Sequence, residues 1–375
     1  MSGRRPTEAR IDLGAIRANL GEVRRAADHD VIAVVKADAY GHGAPAVAAA
    51  LAQAGCRAFA VLSVDEAEAL RAAGRDEEIL VLGGVHDEAE AARAAALGLT
   101  PAIHHRGHAE LLSRAADPAR PLAVHVEVDT GMRRMGVPEA EAPELLAHVA
   151  GRPGLRLAGV YTHPARADEP DLEPTREQLR RFGAVLEAAR ARGVDPGCVH
   201  HGNSAAALAS RELGPDAPPL GAVRAGLALY GAQPAPGRPA ALRPAMTLAT
   251  RVVHVRDLAR GDAVGYGGDW HAPGPTRVAT LAVGYADGVP RAAAGRAQVA
   301  IGGRRFPVVG RVSMDFVTVD VGDAAPAIGD EALVFGAGPG APAVEDLAAA
   351  AGTISYEILV GVGPRVPRVV VDDDA

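Results

Sequence analysis

Val31-Ile32-Ala33-Val34-Val35-Lys36, continued by Ala37-Asp38-Ala39-Tyr40-Gly41-His42-Gly43 and an Ala-rich stretch at 44–54, sets the pattern of the first half of the chain. The apolar run is short and β-branched, and glycines punctuate the residues after it, so it reads as a buried strand leading into a loop and a helix. The lysine at its end has two readings. It snorkels from the strand end to water, or it is a desolvated amine used as a Schiff-base nucleophile. An unpaired ammonium is too costly to bury without one of these outlets.

Working outward, β-type runs recur at about 31–36, 58–62, 78–82, 101–104, 122–128, 156–162, 198–201 and 222–224. Helical stretches at 44–54, 65–73, 87–97, 107–116, 139–150, 175–192 and 204–211 separate most of them, with stop signals at Gly55, Gly74, Gly98, Gly151 and Gly193. Strict alternation implies a parallel sheet. Eight units in this length suit a closed (β/α)8 TIM-type barrel, with an open doubly wound sheet as the alternative. The fourth and eighth units carry the weakest patterns.

Proline and glycine crowd the segment from Gly231 to Pro244, which marks a domain boundary. The barrel is assigned to 1–235 and a smaller, mainly antiparallel β domain to 236–375. Strand-like runs in the latter fall at 246–256, 276–283, 297–301, 306–309, 316–321 and 331–335, with one helix at about 343–351. The segment from Thr7 to Leu13 also looks extended and is expected to pair with this second domain.

Bulk properties exclude several classes. The chain has 375 residues, 48% of them hydrophobic, and a net charge of −7 without Lys/Arg runs, which argues against a nucleic-acid surface. Cys56 and Cys198 make no metal-ligand spacing, so no metal is expected; they read as buried thiols of a reducing, cytoplasmic compartment. The first ten residues lack the apolar core of a signal peptide, and no apolar run reaches membrane-spanning length.

In an eight-stranded barrel the chemistry lies at the C-terminal strand ends. Lys36 ends the first strand; Asp129, Thr130 and Arg134 follow the fifth; His163 ends the sixth; Asn203 and Ser204 follow the seventh; Arg224 ends the eighth. Each has an ordinary reading alone. Ser204 suits a helix cap, Asp129-Thr130-Gly131 a turn, His163 a satisfied buried imidazole. Their common rim is what favours a site. Ser204 and the backbone after Arg224, at Gly226 and Leu227, suit an anion at the place where barrels often hold phosphate. A phosphate site with a Schiff-base lysine suggests pyridoxal 5'-phosphate (PLP).

With these residues in hand the chain resembles the alanine racemase family, PLP enzymes of fold type III, over essentially its whole length. The matching motifs are Val34-Val35-Lys36-Ala37-Asp38-Ala39-Tyr40-Gly41-His42-Gly43, Val128-Asp129-Thr130-Gly131-Met132-Arg133-Arg134-Met135-Gly136, Thr162-His163, Asn203-Ser204-Ala205-Ala206 and Val223-Arg224-Ala225-Gly226-Leu227. In the second domain they are Val264-Gly265-Tyr266-Gly267, Gly284-Tyr285-Ala286-Asp287-Gly288, Gly310-Arg311-Val312-Ser313-Met314-Asp315 and Ser355-Tyr356-Glu357-Ile358.

The resemblance implies interconversion of L- and D-alanine by two bases, feeding peptidoglycan synthesis. Lys36 would carry PLP and serve one face of the substrate, and Tyr266 the other. His163 and Arg224 would lie behind Tyr266, with Arg224 facing the pyridine nitrogen. Tyr40, Ser204, Gly226, Leu227 and Tyr356 would hold the phosphate, and Asn203 would support the pocket. Arg134 and Met314 would orient the substrate carboxylate, with Tyr285 at the entrance. A head-to-tail homodimer would bring Tyr266 of one chain to Lys36 of the other. Two departures stand out. Glu127 occupies the place of a lysine that the family often carbamylates, and is expected to pair with Arg134 directly. Arg133 replaces the family's usual glycine. Competing readings are a serine or basic amino-acid racemase, a PLP decarboxylase and a PLP-carrying regulator; Tyr266 and the second domain argue against the last two.

Overall fold

The computed structural model describes residues 5–214 and 217–372. Its strands, in chain order, are β1 (Glu8–Asp12), β2 (Asp30–Val34), β3 (Ala58–Val61), β4 (Glu78–Val81), β5 (Thr100–Ile103), β6 (Leu122–Asp129), β7 (Val137–Pro138), β8 (Leu155–Tyr161), β9 (Cys198–Gly202) and β10 (Ala222–Ala225). The second half adds β11 (Met246–Leu258), β12 (Ala263–Val264), β13 (Trp270–His271), β14 (Thr276–Leu281), β15 (Gln298–Ile301), β16 (Arg304–Val309), β17 (Val317–Gly322), β18 (Glu331–Phe335) and β19 (Arg368–Val371).

Strands β2, β3, β4, β5, β6, β8, β9 and β10 pair in parallel, and β10 returns to β2, so the sheet closes into an eight-stranded barrel. The open-sheet alternative is thereby set aside. These strands are buried on both faces, which is why they read as near-continuous apolar runs. The fourth strand tolerates Pro101 within it. The eighth unit is short: β10 leads into a single 3-10 turn, Leu227–Tyr230.

A helix that the sequence pattern did not reveal, Leu13–Ala27, packs on that turn. Asp12 caps it by accepting from the Ala15 N–H at 2.8 Å. Buried Asn19 then ties it to the barrel's end: its amide donates to the carbonyls of Leu229 and Arg243 at 3.1 and 2.8 Å and accepts from the Arg243 N–H at 2.8 Å. All the amide's polar groups are engaged, as its burial requires.

The second sheet runs β14-β17-β16-β15-β18-β11-β1-β19, antiparallel except for β1 beside β19, and β14 also pairs β11. Strand β1 precedes the barrel in sequence but lies in this sheet, Ala9 opposite Leu248 and Arg368. Two helices, Val344–Ala351 and Ser355–Gly361, accompany the sheet where the sequence suggested one. Cys56 is buried, its thiol near the Val31 and Ala58 carbonyls, whereas Cys198 is only partly covered.

Candidate active site

The segment after β2 is not the loop the sequence suggested. Ala37, Asp38, Ala39 and Tyr40 all have φ between 52° and 55°, one turn of left-handed helix built without glycine. Each such residue costs about 1–2 kcal/mol, so neighbours must impose the conformation. Glu66 does so on one side: its carboxylate accepts from the Ala37 N–H at 2.8 Å and the Leu62 N–H at 2.7 Å. Asp38 accepts from the Ala44 N–H at 2.7 Å. His42, fully buried and held down to about pKa 4 chiefly by desolvation, lies with Nδ1 at 3.0 Å from the carbonyls of both Ala39 and Tyr40. Arg368, from β19, donates to the Gly41 carbonyl at 2.9 Å.

This turn aims Lys36 and Tyr40 at the rim. Lys36 is half-buried, and its pKa is lowered by desolvation first and by Arg134 second, with Glu66 opposing. Arg134 is exposed but acts electrostatically on Lys36, His163 and Arg224 as well. Arg134 and Lys36 thus lie near enough to His163 to act on its charge, and His163 touches Arg224.

Arg224 is 4% exposed. Its Nη1 donates to His200 Nδ1 at 2.8 Å and to the His200 carbonyl at 3.2 Å; Nη2 donates to the Thr162 carbonyl at 2.8 Å and to His163 Nδ1 at 3.4 Å. The Tyr161 ring lies beneath, 4.7 Å from the guanidinium carbon. A guanidinium only donates, so His163 Nδ1 must accept and its proton sits on Nε2. Burial, then Arg224, Arg134 and Lys36, hold His163 at about pKa 3, a neutral imidazole.

Next to this cluster the hydroxyls of Tyr40, Ser204 and Tyr356 belong to three different elements that meet. Ser204 Oγ accepts from the N–H groups of Gly226 and Ala228 at 3.0 and 3.2 Å. A Cβ on Gly226 would lie 2.4 Å from the Tyr40 hydroxyl, so a glycine is what lets the two approach. The Tyr40 ring sits 4.8 Å from Tyr230 and 5.9 Å from Tyr356. Burial raises the pKa of Tyr40, and burial then Asp168 that of Tyr356, so both stay neutral donors. Leu227 opens the 3-10 turn, whose first N–H groups have no acceptor within the turn. The hydroxyls and the turn N–H groups make a cradle for a phosphate-sized anion. Asn203, not Ser204, is the helix cap: its Oδ1 accepts from the Ala206 N–H at 3.0 Å while Nδ2 donates to the Pro164 carbonyl at 3.2 Å.

Glu127 is buried but does not pair with Arg134; among the described residues its partners are Tyr161, whose hydroxyl donates at 3.0 Å, and His104 Nε2 at 3.1 Å, off the line of a hydrogen bond. The direct pair expected from the sequence is replaced by this inward set. Asp129 forms the turn, accepting from the N–H groups of Gly131 and Arg133 at 2.9 and 3.0 Å. Arg133 is strained, with φ 57°. Gln178, which carries no signal of its own in the sequence, props the rim by donating to Thr130 and the His163 carbonyl and accepting from the Ala165 N–H.

Three expected residues lie apart. Tyr266 is 72% exposed on a 3-10 turn between β12 and β13; Met314 is 52% and Tyr285 43% exposed. The last two share one loop pair, the Tyr285 N–H donating to the Ser313 carbonyl and the Ala286 N–H to that of Met314. Among the described residues no hydrogen bond joins any of the three side chains to the barrel rim. No group of ligands suited to a metal ion occurs among the described residues, and no helix is long and apolar enough to cross a membrane.

The alanine racemase N-terminal domain model matches residues 11–234 and the C-terminal domain model residues 245–370. A curated alanine racemase of Thioalkalivibrio sulfidiphilus is 45% identical, covering 97% of this chain and 98% of its own, and one of Sorangium cellulosum is 38% identical over 97% and 98%. The crystal structure of alanine racemase from D-cycloserine-producing Streptomyces lavendulae superposes with a TM-score of 0.92 at 36% identity, covering 99% and 98% of the two chains. The biosynthetic enzyme from Pseudomonas aeruginosa gives 0.89 at 37%, over 98% and 99%. A lysine, a neutral histidine and two arginines on one barrel rim, in a chain matched end to end by such relatives, make this protein a member of the alanine racemase family of isomerases.

Proposed function

We propose that the protein interconverts L- and D-alanine with PLP, in a homodimer whose two active sites each draw on both chains, and that its product supplies peptidoglycan synthesis in the cytoplasm. The observation that carries the reading is the convergence of Lys36, Arg134, His163 and Arg224 beside the Tyr40–Ser204–Gly226 cradle. The residues present fit the cofactor. The cradle suits its phosphate, Lys36 would hold it covalently, Asn203 supports the rim, and Arg224 would stand at its pyridine nitrogen. When bound, PLP supplies an electron sink for the pair left on the substrate α-carbon.

The chain's own residues account for the rest. Lys36, lowered by desolvation and by Arg134, is suited to accept a proton on one face of the α-carbon. Arg134 offers the exposed cation that a substrate carboxylate needs, with the Met314 backbone and Tyr285 completing the mouth. Tyr266 would be the second base. Its exposure within one chain is what a composite site predicts, since the side chain must reach another chain's rim. His163, with its proton on Nε2, would face that tyrosine, and Arg224 holds the imidazole in this tautomer. Neutral His163 and cationic Arg224 both favour a phenolate beside them.

Proton NMR of the protein with PLP and L-alanine in deuterated water, combined with chiral analysis, tests the reading. Exchange of the α-proton with growth of the D form is the expected result. Exchange with serine or lysine but not alanine would change the substrate; no exchange with any amino acid would refute the racemase.

A further inference from the structure

We propose that His125 and Glu78 are positioning residues for Arg224: a one-way run of hydrogen bonds descends through the barrel interior from Arg224 to His125, and the Glu78 carboxylate faces its lower end. The direction follows from chemistry alone. Arg224 can only donate, so His200 Nδ1, 2.8 Å from Nη1, is bare and its single proton lies on Nε2. That nitrogen is 2.8 Å from His125 Nδ1, which must therefore accept, leaving the His125 proton on Nε2. Nε2 in turn lies 3.6 Å from Glu78 Oε1. That distance is an ion-pair approach and not a hydrogen bond, but a carboxylate favours an N–H turned toward it, so Glu78 suits the order Arg224, His200, His125.

The column is built. His200 and His125 are 0% and 3% exposed. Tyr161 stacks on His200 with centroids 4.8 Å apart and planes 16° from parallel. Gly159, opposite His125 in the β6–β8 register, leaves room for the imidazole: a Cβ there would come within 2.7 Å of its Cε1. Glu78 opens β4 and its side chain is 46% exposed. It thus lies at the N-terminal mouth of the barrel, opposite the rim where Arg224 works. Desolvation, then Arg224, keeps both imidazoles neutral, so each holds one proton and its tautomer matters.

With His125 unable to accept, the His200 Nε2–H is left buried without a partner, and the imidazole loses the bond that orients it under Arg224. Arg224 is then held less firmly by the bond that fixes its plane. The inference concerns the residues whatever the substrate; only its effect on turnover rests on the racemase reading.

The test is nitrogen NMR of the holoenzyme labelled with 15N at the histidine rings, assigned through His125 and His200 variants. The expected wild-type pattern is protonated Nε2 and bare Nδ1 at both residues. His125→Leu should keep His200 protonated on Nε2 but move that signal, as its hydrogen bond is lost, and lower kcat by about tenfold, the scale of a lost supporting bond, with PLP content unchanged. His125→Asn, which keeps an acceptor near the Nδ1 position, should restore both. Glu78→Gln, at the surface, should move the His125 Nε2 signal and checks the lower link even if His125→Leu fails to fold. His200 found Nδ1-protonated in the wild type, or unmoved in His125→Leu with kcat unchanged, overturns the proposal. Histidine signals that move as stated in a protein without racemase activity would uphold the column and sink the function instead.

Discussion

The Tyr161 hydroxyl donates to Glu127 Oε2 at 3.0 Å while the face of the same ring carries the Arg224 guanidinium. One side chain thus sits between a buried anion and a buried cation and binds both. Removing the hydroxyl leaves Glu127 short of a partner. Tyr161→Phe should cost about 1–3 kcal/mol of stability, the scale of an unsatisfied buried acceptor, read from the urea midpoint.

Because Glu127 faces Tyr161 and His104 rather than Arg134, Glu127→Gln should leave KM for alanine within about twofold, while lowering stability by about 1 kcal/mol. A tenfold rise in KM would show that Glu127 and Arg134 pair once substrate arrives.

Arg133 holds a left-handed backbone, and its ion pair to Asp129 at 3.5 Å is 64% exposed on the arginine side, so little is lost with it. Arg133→Gly should stabilise the protein by up to about 1 kcal/mol, strain relief outweighing the entropy of the added glycine. A lower melting temperature would show that the arginine has a second role.

Gly226→Ala places a methyl group 2.4 Å from the Tyr40 hydroxyl. Either the Tyr40 ring or the Gly226 backbone must move, costing about 1–3 kcal/mol. PLP affinity, measured through the cofactor's absorbance, should fall by about tenfold or more; unaltered affinity would show that this approach does not form the cradle.

His42, His125, His163 and His201 are neutral in the fold, held by burial at about 4, 3, 3 and 4. The unfolded chain binds these protons near pH 6.5, so below that the unfolded state gains protons the fold refuses. Stability from these groups is complete above about pH 6.5 and falls on acidification toward pH 4, by up to about 1.4 kcal/mol per pH unit for each histidine. Urea titrations at pH 7.5, 6 and 5 should show it; a midpoint that rises toward pH 5 would contradict neutral burial.

A dimer with shared sites predicts complementation. Lys36→Ala and Tyr266→Phe should each be inactive alone. After unfolding and refolding together, half the dimers are mixed and each holds one intact site, so about a quarter of wild-type activity should return. No recovery would place both bases in one chain.

Much of this was readable from sequence because the barrel repeats one signal: a β-branched run, a helix, a glycine. The left-handed turn was not, since Ala37, Asp38, Ala39 and Tyr40 have no common preference for it. Its cause lies elsewhere, in Glu66. The Ser63-x-x-Glu66 spacing was visible, but as a helix cap it announces the helix at Val64–Ala72 and not that Glu66 reaches across to Ala37. The helix Leu13–Ala27 was hidden by Gly14 and Gly21, which dilute its pattern. His125 and His200 carry no joint signal, because only the sheet order, with β8 between β6 and β9, sets their side chains against each other.

Strand β1 has a consequence for how the protein is made. It emerges before the barrel, yet its partner Leu248 comes about 240 residues after Ala9, on the order of ten to fifty seconds of synthesis. All eight barrel strands are complete before β1 has anywhere to go. The barrel can thus assemble on the ribosome ahead of the second sheet, with β1 left waiting, and the arrival of β11 and then β19 closes the molecule by capturing a strand made before the barrel.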